Sequence, residues 1–244
     1  MPHRRDVRDG EYKSFCMSNI KKQSVGGGDF QPVFREPHSL AIRIWHWIFF
    51  VFLTASLATV LLASTVFRTR NTIGLVQQQL QEKGAIVSED QARAVAHAYS
   101  DKLWGLHTYL GYVLVGLLLS RIVIEITQPG DEKLRNKLKK AAGFPVADAL
   151  GERERQHYLW VKRGYVLFYV LIGVMALTGL GLAFEDAPVL KEWHRGIKQV
   201  HALGQYFIYG FIVIHLAGVV RADWGKHKGL VSGMIHGKGT TPAI

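Results

Sequence analysis

The sequence predicts an all-α integral membrane protein, a four-transmembrane-helix bundle that runs up and down through a bilayer. Three observations predict it. Four apolar runs, at about residues 42–67, 104–126, 164–184 and 197–220, each reach the ~20 residues that an α-helix needs to cross the hydrocarbon core. The formal net charge of +11 is concentrated between those runs, as expected when connecting segments stay in water. Four histidines, His46, His107, His201 and His215, fall within the runs, where a polar ring is costly unless it has a partner.

The elements follow in chain order. Residues 1–36 are rich in charge and contain Gly26-Gly27-Gly28, which predicts a basic extension that is peripheral or disordered. The mostly polar residues ahead of the first run do not read as a secretory signal, and Arg4-Arg5 has no apolar stretch directly behind it, so the first span should stay attached. After that span, Ser88-Glu89-Asp90-Gln91 reads as a capping box and predicts a short extra-membrane helix from Glu89 toward Asp101, between spans one and two. Between spans two and three, residues 131–140 form a basic, helix-favouring stretch expected to face lipid headgroups. The membrane domain then covers 37–225, and 226–244 form a tail.

Orientation comes from the distribution of Lys and Arg. Residues 1–43, 121–163 and 221–244 hold 8, 10 and 4 of them, whereas residues 68–102 and 185–199 hold 5 and 3. The richer side is the cytoplasmic one by the positive-inside bias, so both termini are expected in the cytoplasm of a bacterial cell, with the chain in its inner membrane.

Composition excludes several chemistries. Cys16 is the only cysteine, which rules out an intramolecular disulfide, a Cys-x-x-Cys-His attachment site and clusters held by several thiolates. No glycine-rich phosphate loop is present. The sidedness of the basic residues accounts for the net charge without a nucleic-acid partner.

The histidines carry the chemistry. His201 and His215 are fourteen residues apart, which in a helix is about 21 Å along the axis and within about 40° of one face. In an up-and-down arrangement His46 lies near the inner start of span one and His107 near the outer start of span two. Span four enters from the outside, so His201 shares the depth of His107, and His215 that of His46. Two stacked pairs result, His46 with His215 and His107 with His201. Paired neutral imidazoles suit the two axial positions of a haem b whose task is electron transfer. Gly111, four residues after His107, would leave room for a flat macrocycle on the same face. Gly204 and Gly218 each follow a span-four histidine by three residues and fit either that role or close helix packing. His97, His157, His194, His227 and His236 lie in polar segments and read as solvent-exposed. The alternative for the quartet is a proton or metal transporter, although no carboxylate lies in the middle of any span.

A family resemblance rests on these same residues. Arg43-Ile44-Trp45-His46-Trp47 opening span one, Leu106-His107 with Gly111, the paired histidines of span four, and Arg221-Ala222-Asp223 followed by Ser232-Gly233-Met234-Ile235-His236-Gly237 together resemble the prokaryotic di-haem cytochrome b superfamily. Its members include the b-type cytochrome subunits of Ni-Fe hydrogenases and the bacterial cytochrome b561 proteins. The resemblance covers about residues 35–238, and the order and spacing of the short motifs make it specific. It implies a four-helix membrane cytochrome with haem b that exchanges electrons with membrane quinone.

Three functions follow as expectations. The first is a subunit that anchors a larger oxidoreductase carrying iron-sulfur clusters, such as a hydrogenase, and passes its electrons to quinone. The second is a self-sufficient cytochrome b561-type quinone oxidoreductase that takes electrons from superoxide. The third is a haem-free transporter. His38, Arg43, Trp47 and Asp223 are the candidate quinone residues, all on the inner side. Arg43 is also placed to pair with a haem propionate or to snorkel to the interface, and Arg121 and Arg221 invite the same two readings. The outer segment between spans one and two is long enough to be a docking surface or a plain cap, with Trp104 as its interfacial anchor.

Overall fold

The computed structural model describes residues 39–130, 133–143, 149–224 and 230–237, and among them all regular structure is helical. His38, the extension 1–36 and His227 lie outside the described residues. The helices are α1 (Leu40–Ser64), α2 (Thr69–Glu82), α3 (Glu89–Thr127), α4 (Leu134–Ala142), α5 (Ala149–Ala183), α6 (Pro188–Lys191), α7 (His194–Trp224) and α8 (Leu230–His236). Of these, α1, α3, α5 and α7 are long and apolar enough to cross a membrane, and they cover the four expected spans except that α1 ends at Ser64 rather than Phe67 and α5 at Ala183 rather than Phe184.

Each boundary has a local cause. The Ser39 side chain caps α1 by accepting from the Ile42 amide. The capping box at α3 is formed as expected: the Gln91 amide donates to Ser88 Oγ at 3.3 Å, and the Ser88 amide donates to Gln91 Oε1 at 3.0 Å. The helix it starts differs from the short one expected, because α3 runs without a break from Glu89 through the second span to Thr127, 39 residues in all. Residues 89–104 contain neither Pro nor Gly, and a change from polar to apolar sequence does not stop a helix. At 1.5 Å per residue α3 is about 58 Å long, so its first half projects beyond a hydrocarbon core of about 30 Å. It ends where Pro129-Gly130 follows.

α5 likewise begins 15 residues before its apolar run and carries polar residues on a continuous helix. α2 was not anticipated: it packs along the projecting half of α3, where Ala92 and Ala96, one turn apart, are fully buried. The basic stretch after α3 forms α4, which packs on α5.

Trp45 and Phe49 of α1, Ile172 of α5 and Ile208 of α7 form the centre of the bundle, and Leu114, Leu117 and Leu118 of α3 close around them. The Trp45 indole N–H, buried among these side chains, donates to the Leu117 carbonyl of α3 at 2.7 Å. Many large apolar side chains on the same helices face outward, including Ile44, Val51, Leu119, Val170, Leu177 and Ile214. A lipid solvent accepts such a surface, whereas water would not. α5 and α7 approach through glycine: a Cβ at Gly204 would lie 2.5 Å from Met175 Sδ, and one at Gly181 would lie 3.4 Å from Ile197. Gly204 therefore serves helix packing.

Near the C-terminal end of α3, Arg121 Nε donates to the Tyr169 hydroxyl at 3.0 Å, and its Nη2 pairs with Glu125 at 3.1 Å. Glu125 also accepts from the Leu134 amide at 2.7 Å and from Gln128 at 2.9 Å. One carboxylate thus ties the start of α4 to the end of α3. Arg121, which the sequence left between cofactor pairing and snorkelling, is instead a buried member of this network.

Candidate haem-binding site

The four intramembrane histidines meet in two pairs. The rings of His107 on α3 and His201 on α7 have centroids 6.4 Å apart at 86°. Those of His46 on α1 and His215 on α7 are also 6.4 Å apart, at 54°. α7 is continuous from His194 to Trp224, so it carries one member of each pair, separated by about 21 Å along its axis. The structure brings together the same two pairs, His46 with His215 and His107 with His201.

The pair predicted to be outer is held by hydroxyl groups. His107 Nδ1 lies 2.9 Å from Thr59 Oγ1, 3.3 Å from the Ser56 carbonyl and 3.4 Å from Ser56 Oγ. Thr59 Oγ1 donates its own proton to the Ser56 carbonyl at 2.6 Å, so its oxygen is left to accept from Nδ1–H. Across the site, His201 Nδ1 lies 2.9 Å from Thr178 Oγ1, which donates to the Val174 carbonyl at 2.7 Å. Each hydroxyl therefore fixes Nδ1–H on its histidine and leaves the Nε2 lone pair available. Gly179 completes the arrangement: a Cβ there would lie 3.2 Å from His201 Cε1, so its missing side chain lets the ring lie against α5.

The other pair is set in aromatic surroundings. His46 meets Trp47 edge-on at 5.5 Å. His215 stacks on Phe211 at 6.0 Å and 7°, and Phe211 stacks in turn on Phe168 at 4.6 Å. His46 Nδ1 is buried without a hydrogen-bond partner among the described residues.

A family model described as prokaryotic cytochrome b561 matches residues 37–237. The chain belongs to that family. No curated protein and no solved structure matches it. As a cytochrome b561 the chain is a multi-pass membrane protein that binds haem b and carries electrons in the membrane.

The side chains present fit that cofactor. A metal–imidazole bond is about 2 Å, and a ring nitrogen lies about 1.2 Å from its ring centre, so two imidazoles facing each other across one ion have centroids about 6.4 Å apart. Both pairs have that spacing. Among the described residues no group of three or more His, Cys, Asp or Glu side chains gathers as a metal-ion cage, and a pair of imidazoles is a donor set that suits a porphyrin iron. A Cβ at Gly111 or Gly218 would meet no atom within 4 Å, which leaves open surface beside His107 and His215.

The remaining candidates are placed as follows. Arg43 Nη1 donates to the Ile235 carbonyl at 3.1 Å, and Trp47 Nε1 to the Met234 carbonyl at 3.4 Å, so both side chains of this cytochrome hold the end of α8. Asp223 is half-buried near the end of α7 and is not brought onto either histidine pair, and Arg221 is exposed. His97, His157 and His236 are exposed, and His194 pairs with Glu185 at 3.1 Å on the surface. Ser56, Thr59, Thr178 and Gly179 went unnoticed in the sequence. The one signal for Ser56, Thr59 and Thr178 is a hydroxyl group inside an apolar span near His107 or His201, and Gly179 gives none.

Proposed function

We propose that this cytochrome b561 carries electrons across the membrane through two haems b, linking an electron donor on the outer side to membrane quinone. The observation that carries the reading is the pair of imidazole couples at equal ring spacing on one shared helix, α7. His107 and His201 would hold one haem, and His46 and His215 the other. Bound haem supplies a reversible one-electron iron couple. The chain fixes its ligands: Thr59 and Thr178 orient the outer imidazoles, and the Phe211–Phe168 stack orients His215. Arg43 and Trp47, where α1 meets α8, mark the inner end at which quinone would exchange electrons, and His38 and Asp223 remain candidates from the sequence for the same site. The sidedness of Lys and Arg supports this orientation, with both termini cytoplasmic.

The donor in this reading is an oxidoreductase subunit with iron-sulfur clusters, docked on the outer surface that α2 and the projecting half of α3 build. An open cleft of about 510 Å³ there is lined by Arg68, Arg70 and Arg93 together with Glu89, which pairs with Arg93; the excess of arginine favours as a second reading a self-sufficient cytochrome fed by a small anionic donor such as superoxide. Affinity purification from the native membrane separates the two. Recovery of an iron-sulfur protein, with quinol formed only by the complex, supports the subunit reading. Quinone reduction by the isolated chain with superoxide supports the other. A reduced-minus-oxidised spectrum without b-type bands would contradict both.

A further inference from the structure

The two histidine pairs differ in what holds their second ring nitrogens. Around His107 and His201 the Nδ1 atoms are each 2.9 Å from a threonine oxygen, and both threonine hydroxyls have already given their proton to a backbone carbonyl. Both outer imidazoles therefore donate. Thr59 is buried, and with Ser56, also buried, it surrounds Nδ1 with three oxygens. A tryptophan meets one ring of each pair edge-on, Trp104 at His107 and Trp47 at His46, so the difference lies in the hydrogen bonds: around the inner pair Phe211 stacks on His215, and His46 Nδ1 has no acceptor among the described residues.

This asymmetry has a chemical consequence for any iron the rings bind. A hydrogen bond donated from Nδ1–H shifts electron density onto the ring and raises its basicity at Nε2. A more basic axial ligand favours the ferric over the ferrous state, since the ferric state carries one more positive charge. An apolar surround without that hydrogen bond works in the opposite sense, because the additional charge is poorly solvated.

We propose that Thr59 and Thr178 are positioning residues that set the midpoint potential of the outer haem below that of the inner one. The proposal rests on the ligand assignment given under Proposed function and adds a direction to it. With the lower potential outside, electrons run downhill from the outer donor toward the inner site and quinone. Gly179 belongs to the same device, since its bare backbone lets His201 reach Thr178.

The test is a redox titration of the purified, haem-loaded full-length chain in detergent or nanodiscs, followed by visible and electron paramagnetic resonance spectra. His107→Ala assigns the outer component and His46→Ala the inner one. The wild type is expected to show two components, with the lower one missing in His107→Ala. In the Thr59→Val/Thr178→Val double variant that component should move upward while the inner one stays. At the wild-type outer midpoint, the ratio of reduced to oxidised outer haem should rise about tenfold, which for one electron is about 59 mV. Thr59→Ser/Thr178→Ser keeps the hydroxyls and should restore the wild-type value. If the valines expel the outer haem, the ordering is still read from the wild type and His107→Ala. The proposal is overturned if the component missing in His107→Ala is the higher one, or if the valine variant keeps two haems with unchanged midpoints. A wild-type chain with fewer than two haems would overturn the ligand assignment itself, which keeps the two failures distinguishable.

Discussion

At the scale of single residues, the functional core is a few side chains whose positions are tightly constrained. Gly179 is a clear case, because a Cβ there would lie 3.2 Å from His201 Cε1, so a branched side chain would press the ring away from Thr178. Gly179→Val is therefore expected to lower outer-haem occupancy or broaden its spectrum while the bands of the inner site stay unchanged. Absorption and resonance spectra of the variant check this, and loss of the inner bands instead would be the wrong outcome. The four histidines were legible because imidazoles in apolar runs are rare and their depths follow from helix direction. Thr59 and Thr178 were not, since a hydroxyl in a membrane helix commonly satisfies itself on its own backbone. Both do so here, and their second role depends on which neighbouring helix faces them. Arg121 was ambiguous for a related reason: only the packed structure shows that Tyr169 takes its Nε and Glu125 its Nη2.

At the scale of elements, the informative contact is between α1 and α8. Arg43 and Trp47 donate to the Ile235 and Met234 carbonyls at the C-terminal end of α8, where carbonyls lack partners within the helix and cations are favoured. Gly237 then ends the helix at φ +76°, with its own amide bonded to the Gly233 carbonyl and no room for a Cβ beside the Arg43 guanidinium. Gly237→Ala combines a left-handed backbone, costing about 1–2 kcal/mol, with that close approach. It should release α8, as should Arg43→Ala. Hydrogen exchange over residues 230–237 is the readout, and faster exchange there with unchanged protection of α1 is expected. α3 shows where sequence signals stop short. Its cap and its span were both readable, but their continuity was not, because nothing in residues 100–104 forbids or demands a helix. α2 escaped notice because its apolar stripe, Ile73, Val76 and Leu80, is short and is interrupted by Gln77, Gln78 and Gln79, and its support comes from α3.

At the scale of the whole molecule, sidedness decides which way electrons cross the membrane. Ile86, in the loop between α2 and α3, is 99% exposed, and Cys16 is the only cysteine. In a Cys16→Ser background, Ile86→Cys should react with a membrane-impermeant maleimide on spheroplasts, whereas Cys16 of the wild type should react only after the membrane is opened. The reverse pattern would invert the electron path. Fold class and span order were legible in the sequence because bilayer thickness dictates run length and the translocation bias dictates charge. The identity of the donor is written in no such rule. The central claim is that four histidines hold two haems, and the most direct measurement is a pyridine haemochrome count per chain on the purified protein. The account predicts about two haems b in the wild type, about one in either His107→Ala or His46→Ala, and none in His201→Ala/His215→Ala. A wild-type count near two that survives these substitutions would contradict it.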